Sequence, residues 1–323
     1  MSTWAKNHAR EIAILIANLL LLALLAGTTH GFFTLANLAD LFLANMPVML
    51  VALGMTLIIL TGQIDISVGA VFALCSVTAG LSGRAGAPTP VFLLVATAVG
   101  IACGALNGAL SAYSRIPSIV VTLATAVVLR DGLRWGTEGA WVGDLPPLFQ
   151  RFGLPQGGYT LLVLLVTCVL TIVCALGLRF LRAGRAVFAT GSNEAAAKQL
   201  GINTNSIVFA VFAITGALTG LAATLNAVRF NQIPSNSGIG LEMKVIAAVA
   251  VGGAAITGGS ATVLGTVLGV VLLGLIGPAL TFLGVSAYWE KALQGGIILL
   301  AVSANVLGSY RLRRRTRGVT VAA

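Results

Sequence analysis

Apolar runs of about twenty residues recur from one end of this chain to the other, and no other feature constrains its fold as strongly. At a rise of roughly 1.5 Å per residue, a helix of that length crosses a hydrocarbon core of about 30 Å. Backbone amides in lipid have no water to bond, so each run must satisfy its own hydrogen bonds as a helix. Of 323 residues, 58% are hydrophobic and 9% charged, whereas a soluble domain carries roughly 25% charged residues. The expected fold is all-α and polytopic, one transmembrane domain over residues 1–323 with no sizeable soluble part.

Ten candidate helices follow from the apolar runs: 11–27, 45–61, 64–82, 91–112, 116–133, 159–181, 206–228, 242–257, 261–283 and 287–307. The first follows Lys6 and Arg10 as a signal peptide would. Further spans come next in place of a cleavage site and a soluble domain, so it is expected to be retained. With the N-terminus inside, Lys6, Arg10, Arg115, Arg179, Arg182, Arg185, Lys198, Arg311, Arg313, Arg314, Arg315 and Arg317 fall on the cytoplasmic face, twelve of the nineteen basic residues. That is the bias that orients membrane proteins, and an even number of spans returns the C-terminus to the same side. The net charge of +10 thus sorts by membrane side and does not signal nucleic acid; the surrounding partner is lipid.

Two connections are long enough to carry function. Residues 131–160 face outward in this threading and mix Trp135 and Trp141 with Pro146, Pro147 and Pro155, as an interfacial or re-entrant docking stretch would. Residues 182–205 face inward and are polar. They read as an extended start, a turn at 191–193 and a short helix capped by Asn193 and Gly201, with Ala196, Ala197 and Leu200 as its apolar face. Such an element suits docking into a groove of a separate motor protein. The turns TGQIDISVG (61–69) and TGGSATVLG (257–265) look alike, either through internal duplication or because small residues permit tight connections.

Few polar groups lie within the spans. Asp65 is expected to N-cap the helix that follows it, and Asn107 to make an interhelical hydrogen bond. Glu242 and Lys244 start the eighth span, where a structural pairing is favoured over contact with cargo. Cys75, Cys103, Cys168 and Cys174 lie in apolar segments without metal-ligand spacing and read as packing residues. His8 and His30 lie at helix ends, and there is no phosphate-binding lysine motif, HExxH, GxSxG or carboxylate–histidine pair. No catalytic residue, metal or cofactor is expected, which disfavours a membrane enzyme. A self-sufficient secondary carrier or channel is the alternative to a subunit driven by a partner, but it would want buried ionisable groups that are scarce here.

Four motifs in order, TGQIDISVGA at 61–70, GALNGAL to SRIPSIVVTLAT across 104–125, GRAVFATGSNEAAAKQLGI at 184–202 and GLEMKVIAAVAVGGAAITGGSATVLGTVLG across 240–269, run through nearly the whole chain. On them the sequence resembles permease subunits of bacterial ATP-binding-cassette importers for sugars, the ribose and monosaccharide branch. GLEMK with GVSAYWEKALQGGIILLAV looks nearest to permeases for rhamnose and autoinducer-2. The resemblance implies cytoplasmic ATPase subunits, a second permease chain, identical or related, and a periplasmic sugar-binding protein. It implies that 182–205 is the coupling element, with Arg185, Gly191, Asn193, Ala196 and Gly201 matching its pattern. At Gln63 the sequence departs from the glycine common in the family, so Gln63 is a candidate polar contact without an assigned role.

Overall fold

The computed structural model describes residues 9–29, 31–286, 288–297 and 299. Lys6, His8, His30, the arginines at 311–317 and the end of the 287–307 run lie outside them, as does the side chain of Arg10. The chain forms α1 (Ala9–Thr28), α2 (Leu35–Leu60), α3 (Val68–Arg84), α4 (Thr89–Ala112), α5 (Ser118–Gly136) and α6 (Gln156–Phe180). Then come α7 (Arg182–Ser192), α8 (Glu194–Gln199), α9 (Thr204–Ala227), α10 (Leu241–Val251) and α11 (Val263–Phe282). Residues 289–297 are helical as well.

Six of these, α1, α2, α4, α6, α9 and α11, have at least 18 residues and are apolar enough to cross a membrane; α3 is a shorter apolar helix. The ten full spans expected from sequence are therefore not all present as long helices. α2 begins ten residues before the expected 45, because Thr34 caps it and the amides of Asn37 and Asn45 bond back to the carbonyls of Phe32 and Leu41. The run 64–82 starts as a helix only at Val68, and the run 242–257 ends as a helix at Val251, leaving 61–67 and 252–262 irregular. The outer connection is also shorter than 131–160, since α5 extends to Gly136 and α6 starts at Gln156.

The scaffold is set by close approach of α4 and α9. Gly100, Gly104 and Gly108 lie four residues apart on one face of α4, and Gly216 and Gly220 do the same on α9. A Cβ on Gly100 would lie 2.2 Å from the Gly216 carbonyl, and one on Gly216 would lie 2.1 Å from the Gly100 carbonyl. With no hydrophobic drive between helices in lipid, such backbone contact supplies dispersion over a continuous stripe. α2 is buried against α9 through Gly54, whose Cβ would collide with Thr215, and α1 and α6 flank the bundle with mostly exposed apolar side chains.

Irregular backbone at membrane depth persists only where protein supplies the missing hydrogen bonds. Residues 61–67 obtain them from α5. Ile64 N–H donates to Ser118 Oγ at 3.2 Å and Ile66 N–H to Thr122 Oγ1 at 3.1 Å. At the opposite end, residues 137–155 lie on the 228–240 segment through paired bonds of 2.9 Å between Val142 and Ile233.

Candidate functional site

The polar segment between α6 and α9 is helical from its first residue. The expected extended start and turn at 191–193 give way to α7, which runs through Gly191 and breaks only at Asn193, where φ is −160°. Asn193 Oδ1 then accepts from Ala196 N–H at 3.0 Å, capping α8. At the other end Gly201, with φ +79°, lets Ile202 N–H reach Ala197 O at 3.1 Å and its own N–H reach Lys198 O at 3.0 Å, the paired bonds that close a helix C-terminus. Glu194 in the first turn is paired with Lys198 at 2.6 Å, and that hydrogen bond holds its carboxyl below the usual carboxylate range.

Gly191 is required for a reason the sequence did not suggest. It is not a turn residue. A Cβ there would sit 1.7 Å from the Leu60 carbonyl and 2.8 Å from Gly259 N, so the end of α7 rests on backbone from both irregular connections. Those connections touch as well: Gly259 N–H donates to Leu60 O at 2.9 Å, and a Cβ on Gly258 would lie 2.9 Å from Gly62 N. The two look-alike turns read from the sequence thus meet each other beneath one helix end. At the other end of α7, Gly184 packs on α6, its Cβ position 2.4 Å from Gly177 O.

The apolar face assigned to α8 divides. Ala197 is buried in its own chain, whereas Ala196 is exposed and Leu200 is 81% exposed. Arg185 is exposed and donates to Phe180 O at 3.2 Å, fixing the corner from α6 to α7.

Asp65 is not the N-cap of α3, a position taken by Ser67. Its Oδ1 accepts from Ser67 N–H at 2.8 Å and from Ser67 Oγ at 2.6 Å, one step outside the helix. Asn107 Nδ2 donates to Ser67 Oγ at 2.8 Å, and Thr125 Oγ1 donates to Asn107 Oδ1 at 2.7 Å. The interhelical bond expected of Asn107 is therefore part of a buried chain linking the 61–67 segment, α4 and α5. Gln63 is half-buried beside it, its N–H bonded to Ile58 O.

Lys244 pairs with Glu290 at 2.9 Å, and Gln294 donates to the same Glu290 oxygen, tying α10 to helical residues 289–297. Glu242 behaves differently. Its Oε1 accepts from Gly240 N–H at 3.3 Å, but its buried Oε2 has no hydrogen-bond partner, nor has Arg130 Nη1 on α5. Oε2 lies 2.0 Å, and Arg130 Nη2 3.2 Å, from the point a Cβ of Gly69 would occupy. Arg130 was not singled out from the sequence, although an arginine inside the expected span 116–133 was the available signal.

An apolar helical bundle with six helices long enough to cross a membrane, and with α7 seated on two irregular turns, is a polytopic membrane protein. The family model for the permease component of branched-chain amino acid transport systems matches residues 37–302, and the chain belongs to this family. It is 37% identical over 296 residues, 92% of this chain and 89% of the other, to an autoinducer 2 import system permease protein LsrC of Photorhabdus luminescens. A protein of the same name from Yersinia enterocolitica is 36% identical over 299 residues, 91% of this chain and 81% of the other. No solved structure matches. The chain is accordingly a permease component and not an enzyme.

Proposed function

We propose that this chain is the membrane-spanning subunit of an ATP-driven importer of a small sugar-like molecule, with autoinducer-2, the solute named for its relatives, as the first candidate cargo. Partner ATP-binding subunits in the cytoplasm hydrolyse ATP, a second permease chain completes the pathway, and a periplasmic binding protein delivers the cargo. The protein lies in the bacterial inner membrane, with both termini and the α7–α8 element on the cytoplasmic side.

One observation carries this reading: α7 ends against Leu60 O and Gly259 N, the backbone of the two connections that begin α3 and α11. A push on α8 therefore reaches both turns through contact without slack, since a glycine leaves no side chain to absorb it. Arg185, Gly191, Asn193, Ala196 and Gly201 build that element, and Ala196 and Leu200 face the motor subunit. Asp65 and Asn107 tie the first turn to α4 and α5, Lys244 ties α10 to residues 289–297, and Gln63 and Glu242 are candidate polar contacts of the pathway.

The test is reconstitution of the chain in liposomes with and without its ATP-binding subunit and binding protein. Uptake of labelled ribose, rhamnose or autoinducer-2 is expected only with both partners and ATP. Uptake by the chain alone would instead identify a self-sufficient carrier.

A further inference from the structure

Between the end of α9 and the start of α10, residues 228–240 run down beside α3 without forming a helix; Ile233 is beside Gly80 at the top and Gly238 beside Gly69 at the bottom. This interruption borders a partly open cavity of about 330 Å³, lined by Phe72 and Ser76 of α3, Trp141 of the 137–155 connection, and Asn226, Phe230 and Ser237 among others. Small-molecule sites span about 300–1,000 Å³, so the space suits a single small ring.

Its lining is chemically specific. No charged side chain contributes to it among the described residues, although the neighbouring cleft on the other side of Trp141 is lined by Arg130, Asp131 and Arg134. Ser76 is 1% exposed, yet its Oγ has no hydrogen-bond partner. Most serines in this position would bond the carbonyl four residues earlier; this one keeps its hydroxyl free at the cavity wall. A buried hydroxyl without a partner is unfavourable, and a bound hydroxyl group would remove that cost. Phe72, Trp141 and Phe230 supply ring faces, which carry partial negative charge and attract the polarised C–H groups of a sugar ring. Asn226, Asn231 and Gln232 supply amides with both donors and acceptors.

We infer that this cavity is the cargo site within the permease and that it takes an uncharged, polyhydroxylated small molecule, with Ser76 Oγ bonding one of its hydroxyls and Trp141 and Phe230 holding its C–H faces. This deepens, and rests on, the reading of the chain as an importer permease. Transporters commonly place their solute where a discontinuous helix leaves irregular backbone lining a cavity, as residues 228–240 do here.

The experiment uses the complete complex in proteoliposomes, with labelled ribose, rhamnose and autoinducer-2 as probes at saturating binding protein. Ser76→Ala removes one hydrogen bond and is expected to lower the uptake rate about three- to tenfold. Ser76→Leu fills the space and is expected to reduce uptake to background. Leu148→Ala, on the exposed part of the 137–155 connection, is the control and keeps wild-type uptake. If Ser76→Leu fails to assemble, Trp141→Leu and Phe230→Leu decide, since Trp141 is 60% and Phe230 47% exposed and neither belongs to the buried core; each is expected to lower uptake at least threefold. Wild-type uptake in the assembled Ser76 variants, or in both aromatic variants, overturns the assignment of the cavity. A wild-type complex that hydrolyses ATP but moves none of the probes overturns the importer reading and the cavity with it.

Discussion

The carbonyl of Leu60, the last residue of α2, accepts a hydrogen bond from Gly259 N–H at 2.9 Å, and Gly191 closes over that bond from α7. Three elements far apart in sequence thus share one backbone contact. Gly191→Val would place a side chain where the Leu60 carbonyl already lies, 1.7 Å from its Cβ, and that oxygen cannot yield without moving α2. The expected outcome is loss of the folded, monodisperse chain even when no partner is present, measured by size exclusion in detergent. A folded Gly191→Val chain deficient only in partner binding would show that Gly191 serves the docking surface instead.

The α4–α9 stripe makes a sharper prediction by contrast. Gly216→Ala forces a Cβ within 2.1 Å of the Gly100 carbonyl, so the two helices must separate along their length. We expect the thermal unfolding midpoint to fall and expression to drop. Gly132, in α5, has nothing within 4 Å of a Cβ, and there Ala should stabilise the helix by about 0.5–1 kcal/mol. Equal effects at the two sites would mean that the close approach of α4 and α9 does not hold the bundle.

How much of this was legible depended on the range of the interaction. Apolar runs marked α1, α4, α6, α9 and α11 closely, because a span's length and its internal hydrogen bonds are local properties. The cap at Asn193 and the closing glycine at 201 were likewise readable from a few neighbouring residues. The breaks at 61–67 and 252–262 were not, since the hydroxyls that permit the first, Ser118 and Thr122, lie more than fifty residues away. Their spacing of four in SIVVT was the available signal. The glycine spacing at 100, 104 and 108 was also on view. What it could not give was its counterpart at 216 and 220.

Asp65 was expected to cap α3, and the geometry moves its contribution to the residue before the helix. Asparagine has the same acceptor oxygen as aspartate, so Asp65→Asn should keep both bonds to Ser67 and retain most stability and transport. Asp65→Leu strands the buried Ser67 amide and frees its hydroxyl from the chain through Asn107 to Thr125. The expected cost is about 2 kcal/mol or more, read from thermal unfolding in detergent. Should Asn and Leu variants fold normally and both lose uptake, the negative charge itself would be needed for transport.

The coupling reading is most exposed at Ala196. This side chain points away from the bundle, whereas its neighbour Ala197 is buried and the glycine at 191 is committed to Leu60. Bulk at 196 therefore meets only a partner. Ala196→Trp is expected to leave the isolated permease folded and inserted, with an unfolding midpoint close to wild type. In the full complex it should lower binding of the ATP-binding subunit and the stimulation of its hydrolysis by loaded binding protein, and uptake should fall with them. Asn193→Ala provides a graded companion: it removes the cap bond to Ala196 N–H, costs about 1 kcal/mol locally and should weaken the same stimulation to a smaller degree. A cysteine at 196 should react with a membrane-impermeant thiol reagent only from the cytoplasmic side, and one at Ser235, next to Gly139 at the opposite end, only from outside. Native binding, stimulation and uptake in Ala196→Trp would make α8 a passive connection and return the coupling role to another part of the chain.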